Sequence, residues 1–485
     1  MCKKILILGG TGAMGTSLVE QAAQMRYDVY VTSRKVRRSD DKNIHYVQGD
    51  AHDLSFLSVL LKDSYDAVID FMIYTSKQLF EERVDLFLNA TKQYFFLSSS
   101  TVYAESNGKI TEETSRFVDV HGVERAMYNR PYIAYKAQQE DVLKQCKNKN
   151  WTIIRPYITY AEERIQLGNF EKEIWLYRAL KNKTIVFPEE VSERVTTLTY
   201  GKDVARAILK MIGNEKAYGE IFHITTSQSI KWKKVLEIYL NTIEEIMGFC
   251  PAVKASERNA FYSSPDRLQD RIFDNRKIQE LAKLDFTDVE TGLKQCVKSF
   301  IEEKREFREI PWAIHGRHDR IAGEYMDIDD IPSENGKKDY MLERFAGYVI
   351  NIPVLEDKEQ SRLLEKWKDF SKKTLADEWR KLKNVFDEYG AKRIGIYAYS
   401  NFAKQLLFIL EAVKDSEIEY FLYDSDCEKW GKKVQGCEIT SPKEMDSHQI
   451  DLLLISSKRN YMDIYEMYQH LAEAGVKILG TGAFE

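Results

Sequence analysis

The chain has 485 residues, 44% hydrophobic and 30% charged, with only 9 prolines and 24 glycines. That is the balance of a globular protein with more than one core, and it excludes a fibrous or linker-dominated chain. Lys and Arg number 71 against 76 Asp and Glu, a formal charge of -5, so the basic excess of a nucleic-acid binder is missing and no nucleic-acid partner is expected. The six cysteines are scattered and none forms a CxxC, which speaks for reduced thiols rather than a disulfide framework or a zinc site. No run approaches the ~20 apolar residues that span a membrane. A cytoplasmic protein without a membrane partner is expected.

Short β-rich runs alternate with helical periods through the first half. The runs are Lys4–Leu8, Asp28–Thr32, His45–Gln48, Ala67–Phe71, Gln93–Leu97 and Trp151–Arg155, with amphipathic stretches such as Thr16–Gln24 and Arg83–Thr91 between them. Near-continuous apolar strands alternating with helices predict an α/β fold, a doubly wound parallel sheet of Rossmann type covered on both faces. A less regular region, about 162–303, reads as a small substrate subdomain, so 1–303 form one nucleotide-binding domain. Residues 304–340 are polar, with Pro311, Gly316, Pro332 and Gly336, and read as an irregular linker. The remainder, 341–485, opens with a charged helical stretch over 356–390, read as a packed surface helix pair. It continues as a second, smaller Rossmann-like α/β domain: strand Ile394–Tyr397, helix Phe402–Ala412, strands Glu419–Tyr423 and Leu452–Ile455, helix Tyr461–Ala474 and strand Val476–Leu479.

Directly after the first strand stands Gly9-Gly10-Thr11-Gly12-Ala13-Met14-Gly15, opening a helix. Glycine serves three ends there: Gly9 allows the tight turn, Gly12 lets a pyrophosphate approach the backbone, and Gly15 lets the helix pack close to the sheet. Free amides at the helix N-terminus receive the anionic charge. After the second strand comes Ser33-Arg34-Lys35. An acidic residue there would hold both ribose hydroxyls of NAD, whereas a cation suits the 2′-phosphate of NADP. NADP is therefore the expected cofactor, with NAD as the alternative. Asp50, ending the third strand, is placed to accept from the adenine amino group.

Tyr132-Ile133-Ala134-Tyr135-Lys136 places Tyr132 and Lys136 on one helix face. A neighbouring ammonium lowers a phenol's pKa and readies it for proton exchange with a carbinol. Tyr177 and Lys181 have the same spacing, so context must choose. Tyr132 follows the strand ending in Ser98-Ser99-Ser100-Thr101-Val102-Tyr103, and ligands of an open α/β sheet sit at the strands' carboxyl ends. Tyr177 lacks such a neighbour and reads as a surface helix residue. Spacing alone does not choose among Ser98, Ser99 and Ser100. His315 and His318 with Asp319 resemble a metal cluster only by composition and read as part of the exposed linker; no metal is expected.

GGTGAMG, Gly49-Asp50, SSSTVY, YIAYK, Arg155-Pro156, Lys202-Asp203-Val204-Ala205 and Gly219-Glu220-Ile221-Phe222 stand in order. Over residues 1 to about 300 this set resembles an extended or atypical short-chain dehydrogenase/reductase of the NAD-dependent epimerase/dehydratase family. The resemblance implies Ser99, Tyr132 and Lys136 as catalytic residues. It implies Gly9, Thr11, Gly12, Ala13, Met14, Gly15, Ser33, Arg34, Asp50 and Lys136 around the cofactor. Its function would be that of an oxidoreductase or epimerase/dehydratase, an isomerase among them, on a carbinol of a nucleotide-linked sugar. Asn169 stands where the family often places a sugar-contacting asparagine. The arginine that epimerase-like members use for the diphosphate is Thr196 here, with Arg194 two residues away, and the second diphosphate arginine has only Arg267 and Arg271 as neighbours. The family commonly dimerises through helices matching Gln78–Thr91 and Tyr132–Cys146, so a homodimer is expected. Some atypical relatives are RNA-associated, which gives the alternative of a non-catalytic nucleotide-binding scaffold.

Residues ~390–485 resemble the Rossmann-like domain appended to bacterial sugar C-methyltransferases and sugar-nucleotide acetyltransferases, through Ile394–Tyr397, Tyr423-Asp424-Ser425-Asp426, Lys429-Trp430-Gly431, Ser441-Pro442 and Ser456-Ser457. That company implies surface-polysaccharide metabolism. Its first turn, Ala398-Tyr399-Ser400-Asn401-Phe402-Ala403, lacks glycine and would crowd a pyrophosphate.

Overall fold

The computed structural model describes residues 2–349, 357–457 and 461–484, which divide into two compact units, 1–310 and 311–485. The first is built on a seven-stranded sheet of β1 (Lys4–Leu8), β2 (Asp28–Ser33), β3 (Ile44–Gln48), β4 (Ala67–Asp70), β5 (Tyr94–Leu97), β6 (Trp151–Pro156) and β7 (Glu220–Ile224). Their order is β7-β6-β5-β4-β1-β2-β3, and every pairing is parallel. Strand periodicity sends alternate residues to opposite faces. Ile5 and Ile7 of β1 meet α1 (Ala13–Gln24) on one side, while Leu6 and Leu8 join the core of α2 (Lys77–Ala90) on the other. The strand order reverses between β1 and β4, and the crevice of such a sheet opens at that switch.

Two further helices position the site. The first is α3 (Val123–Asn129); the second, α4 (Pro131–Gln145), starts with proline at its first turn, where no amide is needed. α4 is weakly amphipathic because it buries Lys136, Gln139 and Glu140 beside Ile133, Val142 and Leu143. Glu140 takes a bidentate bond from Arg155 at 2.8 and 2.6 Å and a third from Arg116 at 3.3 Å, so the Arg155-Pro156 motif serves the core.

The region 162–303 is not a continuous subdomain. Short strand pairs, such as Ile185–Pro188 with Val253–Ser256, stand outside the seven-stranded sheet. Between them the chain re-enters the main sheet through α5 (Gly201–Met211) and β7. On the two helices through which a homodimer is expected, Phe80, Val84, Phe87, Leu88, Val142 and Leu143 are buried within the chain, and Leu79 is 37% exposed.

In the second unit the expected linker is corrected. Within 304–340 lie α6 (Trp312–Ala322) and most of α7 (Glu334–Phe345). Gly316 and Gly336 act as contact points rather than breakers: a Cβ on Gly316 would come 2.4 Å from the Tyr340 carbonyl, and one on Gly336 would come 2.4 Å from the Trp312 ring. His315, His318 and Asp319 are buried there, not exposed, and Asp319 accepts from the Tyr340 hydroxyl at 2.5 Å. Among the described residues no group of His, Cys, Asp and Glu is arranged to hold a metal. The expected helix pair over 356–390 is one 32-residue helix, α8 (Lys358–Tyr389); residue 356 lies outside the described residues.

After α8, β8 (Arg393–Tyr397) leads through α9 (Asn401–Val413) to β9 (Glu419–Tyr423), β10 (Lys433–Val434), β11 (Cys437–Thr440), β12 (Leu452–Ile455) and β13 (Lys477–Gly480). The sheet order is β10-β11-β9-β8-β12-β13, parallel except for the β10–β11 edge. The helix expected over 461–474 divides into Tyr461–Met467 and Gln469–Glu473. Among the described residues no helix is long and apolar enough to cross a membrane.

Candidate functional site

The glycine loop joins β1 to α1 at the sheet's carboxyl edge. Gly9 adopts φ +70°, the left-handed region that glycine enters without strain, and its amide donates to Thr32 Oγ1 at 3.1 Å. A Cβ on Gly15 would stand 2.6 Å from the Gly10 carbonyl carbon; what its absence permits is the loop folding back on itself. A Cβ on Gly12 would point into open space, and Thr11 and Gly12 are exposed. The loop is therefore well formed, with room for an anion at the start of α1, and its residues fit a dinucleotide.

Ser33 is buried and donates to the Lys35 carbonyl at 2.8 Å. Arg34 is exposed, and its positive charge helps hold the Asp50 carboxyl below the usual range, behind the larger effect of the His52 amide that donates to Asp50 at 2.9 Å. Arg34 and Asp50 thus flank the β2–β3 edge of the crevice together.

The three serines after β5 part ways. Ser98 Oγ turns inward to Glu140 at 2.6 Å, and Ser100 Oγ donates to the Arg155 carbonyl at 2.7 Å. Ser99 Oγ shares a bond with Thr101 Oγ1 at 2.8 Å and lines a cavity of about 290 Å³ with Met14, Thr101, Tyr132, Arg164 and Arg267. Geometry thus separates three residues that spacing left equivalent.

Tyr132 retains 43% exposure. Desolvation of its phenol in the cleft raises its pKa, while a hydrogen bond with Ser99 and the charge of Arg164 pull the other way. Lys136 is 2% exposed; it donates to the Leu97 carbonyl at 2.7 Å and the Met72 carbonyl at 3.3 Å. Burial pushes its ammonium down to about 8, against the opposing charges of Asp70 and Glu140. The Tyr132 pKa is thus raised, not lowered by Lys136 as expected: the ammonium is bound to the Leu97 and Met72 carbonyls, and desolvation governs the phenol. Asp70, ending β4, belongs to no motif that marks it in the sequence. It is buried under the site and accepts from Tyr94 at 2.6 Å and Tyr74 at 2.8 Å.

The rival Tyr177 is half-buried against Phe307, away from the serines. Asn169 donates to the Tyr262 carbonyl at 3.3 Å. Arg194 opens into a different concavity, with Lys109 and Asp270, and does not line the cleft of Tyr132. Arg164 and Arg267 do line it. Arg271 is buried, bonded to Asp266 and the Ala104 carbonyl.

In the second unit, Ala398 takes φ +71° and the Ser400 hydroxyl bonds to Ser456, closing the first turn with side chains. Asp424 is buried; it accepts from the Tyr399 and Asp426 amides and from Lys429.

Residues 5–225 match the model of the NAD dependent epimerase/dehydratase family. A curated relative, the chloroplast stem-loop binding protein of 41 kDa b from Arabidopsis thaliana, is 28% identical over 238 residues, 46% of this chain and 58% of its own length. Among solved structures, the Bordetella bronchiseptica enzyme WbmH in complex with NAD+ superposes with a TM-score of 0.50 at 16% identity, over 62% of this chain and 99% of its own. The dTDP-glucose 4,6-dehydratase of Bacillus anthracis in complex with NAD does so with a TM-score of 0.50 at 16% identity, over 62% and 98%. At such identities the two structures speak for the fold.

Proposed function

We propose that the N-terminal unit is an NAD(P)-dependent epimerase, dehydratase or reductase acting on a carbinol of a nucleotide-linked sugar. The observation that carries this reading is the meeting of Ser99 and Tyr132 in one cavity that Met14 of the glycine loop also lines, with Lys136 beneath. When bound, a nicotinamide supplies the hydride donor and acceptor. Tyr132 gives its proton to the forming alkoxide or takes it from the carbinol. Its raised pKa keeps it a proton donor at neutral pH. Ser99 orients the substrate oxygen by hydrogen bonding, and Lys136 fixes the floor of the site and holds the ribose. Arg34 favours NADP over NAD. The dehydratase and NAD-bound enzymes that share the fold support the substrate and cofactor classes by analogy. The second unit's resemblance to sugar-modifying enzymes supports a place in surface-polysaccharide metabolism.

A panel of nucleotide sugars incubated with the purified protein and NAD or NADP, followed by product analysis, tests the reading; turnover of none would overturn it. The stem-loop binding relative favours a second reading, an RNA-associated protein without turnover. Tight, salt-sensitive binding of stem-loop RNA together with an inert panel would establish that alternative.

A further inference from the structure

A second cavity adjoins the one holding Ser99. It measures about 900 Å³ and shares Thr101, Tyr132 and Arg267 with its smaller neighbour of about 290 Å³. A substrate whose reacting carbon lies at Tyr132 can therefore extend into it. The wall carries three guanidiniums, Arg125, Arg130 and Arg267, against two carboxylates, Glu105 and Asp266.

Most of these charges are already engaged. Asp266 accepts from Arg271 at 2.8 Å, Arg267 at 2.8 Å and Tyr157 at 2.7 Å. Glu105 accepts from Gln269 at 2.8 Å. Arg130 differs. It is half-buried at the start of α4, its guanidinium carbon 4.4 Å from the centre of the Phe117 ring, and among the described residues it has no carboxylate at ion-pair distance. Burial lowers its pKa, with Asp266 and Glu105 acting the other way from beyond pairing distance. A cation partly stripped of water and not paired with either carboxylate is poised to gain from a closer anion. Arg125 of α3 lines the same wall, and Tyr262, 79% exposed, offers a flat ring there.

A diphosphate needs such a group here. Thr196, at the position where epimerase-like proteins place an arginine, is a buried threonine, and Arg194 faces another concavity.

We propose that Arg130, assisted by Arg125, binds the diphosphate of a nucleoside-diphosphate-linked substrate in the larger cavity. This rests on the nucleotide-linked reading above and assigns the residue that anchors the nucleotide half.

The test is calorimetric titration of UDP, TDP, GDP and CDP into the full chain saturated with NAD, which blocks the cofactor site. At least one should bind the wild type. Arg130→Ala should weaken it by about ten- to a hundredfold, the worth of a charge-assisted bond. Arg130→Lys should recover part of the loss, Arg125→Ala should show a smaller, salt-sensitive loss, and NAD affinity should stay within about twofold. Unchanged diphosphate binding in Arg130→Ala would overturn this assignment and leave the proposed function standing. A wild type that takes NAD but none of the four would overturn both. Should Arg130→Ala also lose NAD, Arg130→Gln is judged by the same criteria.

Discussion

Burial acts in opposite directions on the two partners of α4, raising the Tyr132 phenol and pushing the Lys136 ammonium down to about 8. The consequence for Lys136 is a stability that depends on pH. In the unfolded chain its pKa is near 10.4. Between about pH 8 and 10.4 the unfolded chain keeps a proton that the folded one has shed, so stability rises with pH across that window. Below about 8 both states are charged and the full burial cost, about 3 kcal/mol, is present. Lys136→Met removes this dependence. The difference in unfolding free energy between wild type and variant, followed by urea denaturation from pH 7 to 10.5, should shift by up to about 3 kcal/mol in favour of the wild type; a flat difference would contradict the assignment. For catalysis, Tyr132→Phe should lower turnover by about 10²–10⁴ with cofactor binding nearly intact, while Tyr177→Phe should be close to normal. The reverse pattern would assign the chemistry to Tyr177 and Lys181. For the cofactor, Arg34→Ala should cost about 1.5–3 kcal/mol of NADPH affinity and leave NADH unchanged in fluorescence titrations; equal affinities in the wild type would defeat the NADP preference.

The β1–α1 turn separates two uses of glycine that look identical in the motif. Gly12 has φ -89° and ψ 177°, which any residue adopts, and open space where a Cβ would be. Gly12→Ala should therefore leave thermal stability within about 0.5 kcal/mol. It should nonetheless weaken dinucleotide binding by about tenfold or more, or ~1.4 kcal/mol, because the new methyl stands where the pyrophosphate approaches. In Gly15→Ala the methyl meets backbone at 2.6 Å, and stability should fall by about 1–3 kcal/mol. A melting curve and a titration on each variant check this; equal stability losses would refute the distinction. The same turn shows what was legible in the sequence. Strands β1, β9 and β12 match their expected bounds to the residue, because buried parallel strands are continuous apolar runs ending in turn residues. The edge pair β10–β11 is not legible there: Lys433-Val434 and Cys437–Thr440 are short and half-exposed, without such a run. Ser99 is separable from Ser98 and Ser100 only once Glu140 and the Arg155 carbonyl have claimed the other two. Arg130 lay two residues before Tyr132, but its lack of an acidic partner is a fact of packing that no spacing reveals.

At the scale of the whole molecule, the two α/β units were readable from strand–helix alternation, but the boundary between them was not. Gly316, Gly336, Pro311 and Pro332 look like loop punctuation, yet the two glycines let α6 and α7 pack at backbone distance, and the prolines stand at or near helix starts. A cut near residue 335, which the sequence invites, would sever that hairpin and expose Tyr340, Met341 and Trp312. The compact units meet at Ile310 and Pro311 instead. A fragment 1–310 keeps the seven-stranded sheet and both of its apolar faces, and should fold and bind NAD(P)H. A fragment 311–485 keeps the α6–α7 hairpin, α8 and the six-stranded sheet. It should also fold, because its core around Leu382, Phe386, Ile396, Leu407 and Leu452 is its own. It should not bind the cofactor, because its first turn is closed by Ser400 and Ser456 and its Asp424 is engaged by Tyr399, Asp426 and Lys429. Circular dichroism reports folding of each fragment, and calorimetry with NADPH reports binding. NADPH binding by 311–485, or an unfolded 1–310, would show that the two units form one functional body.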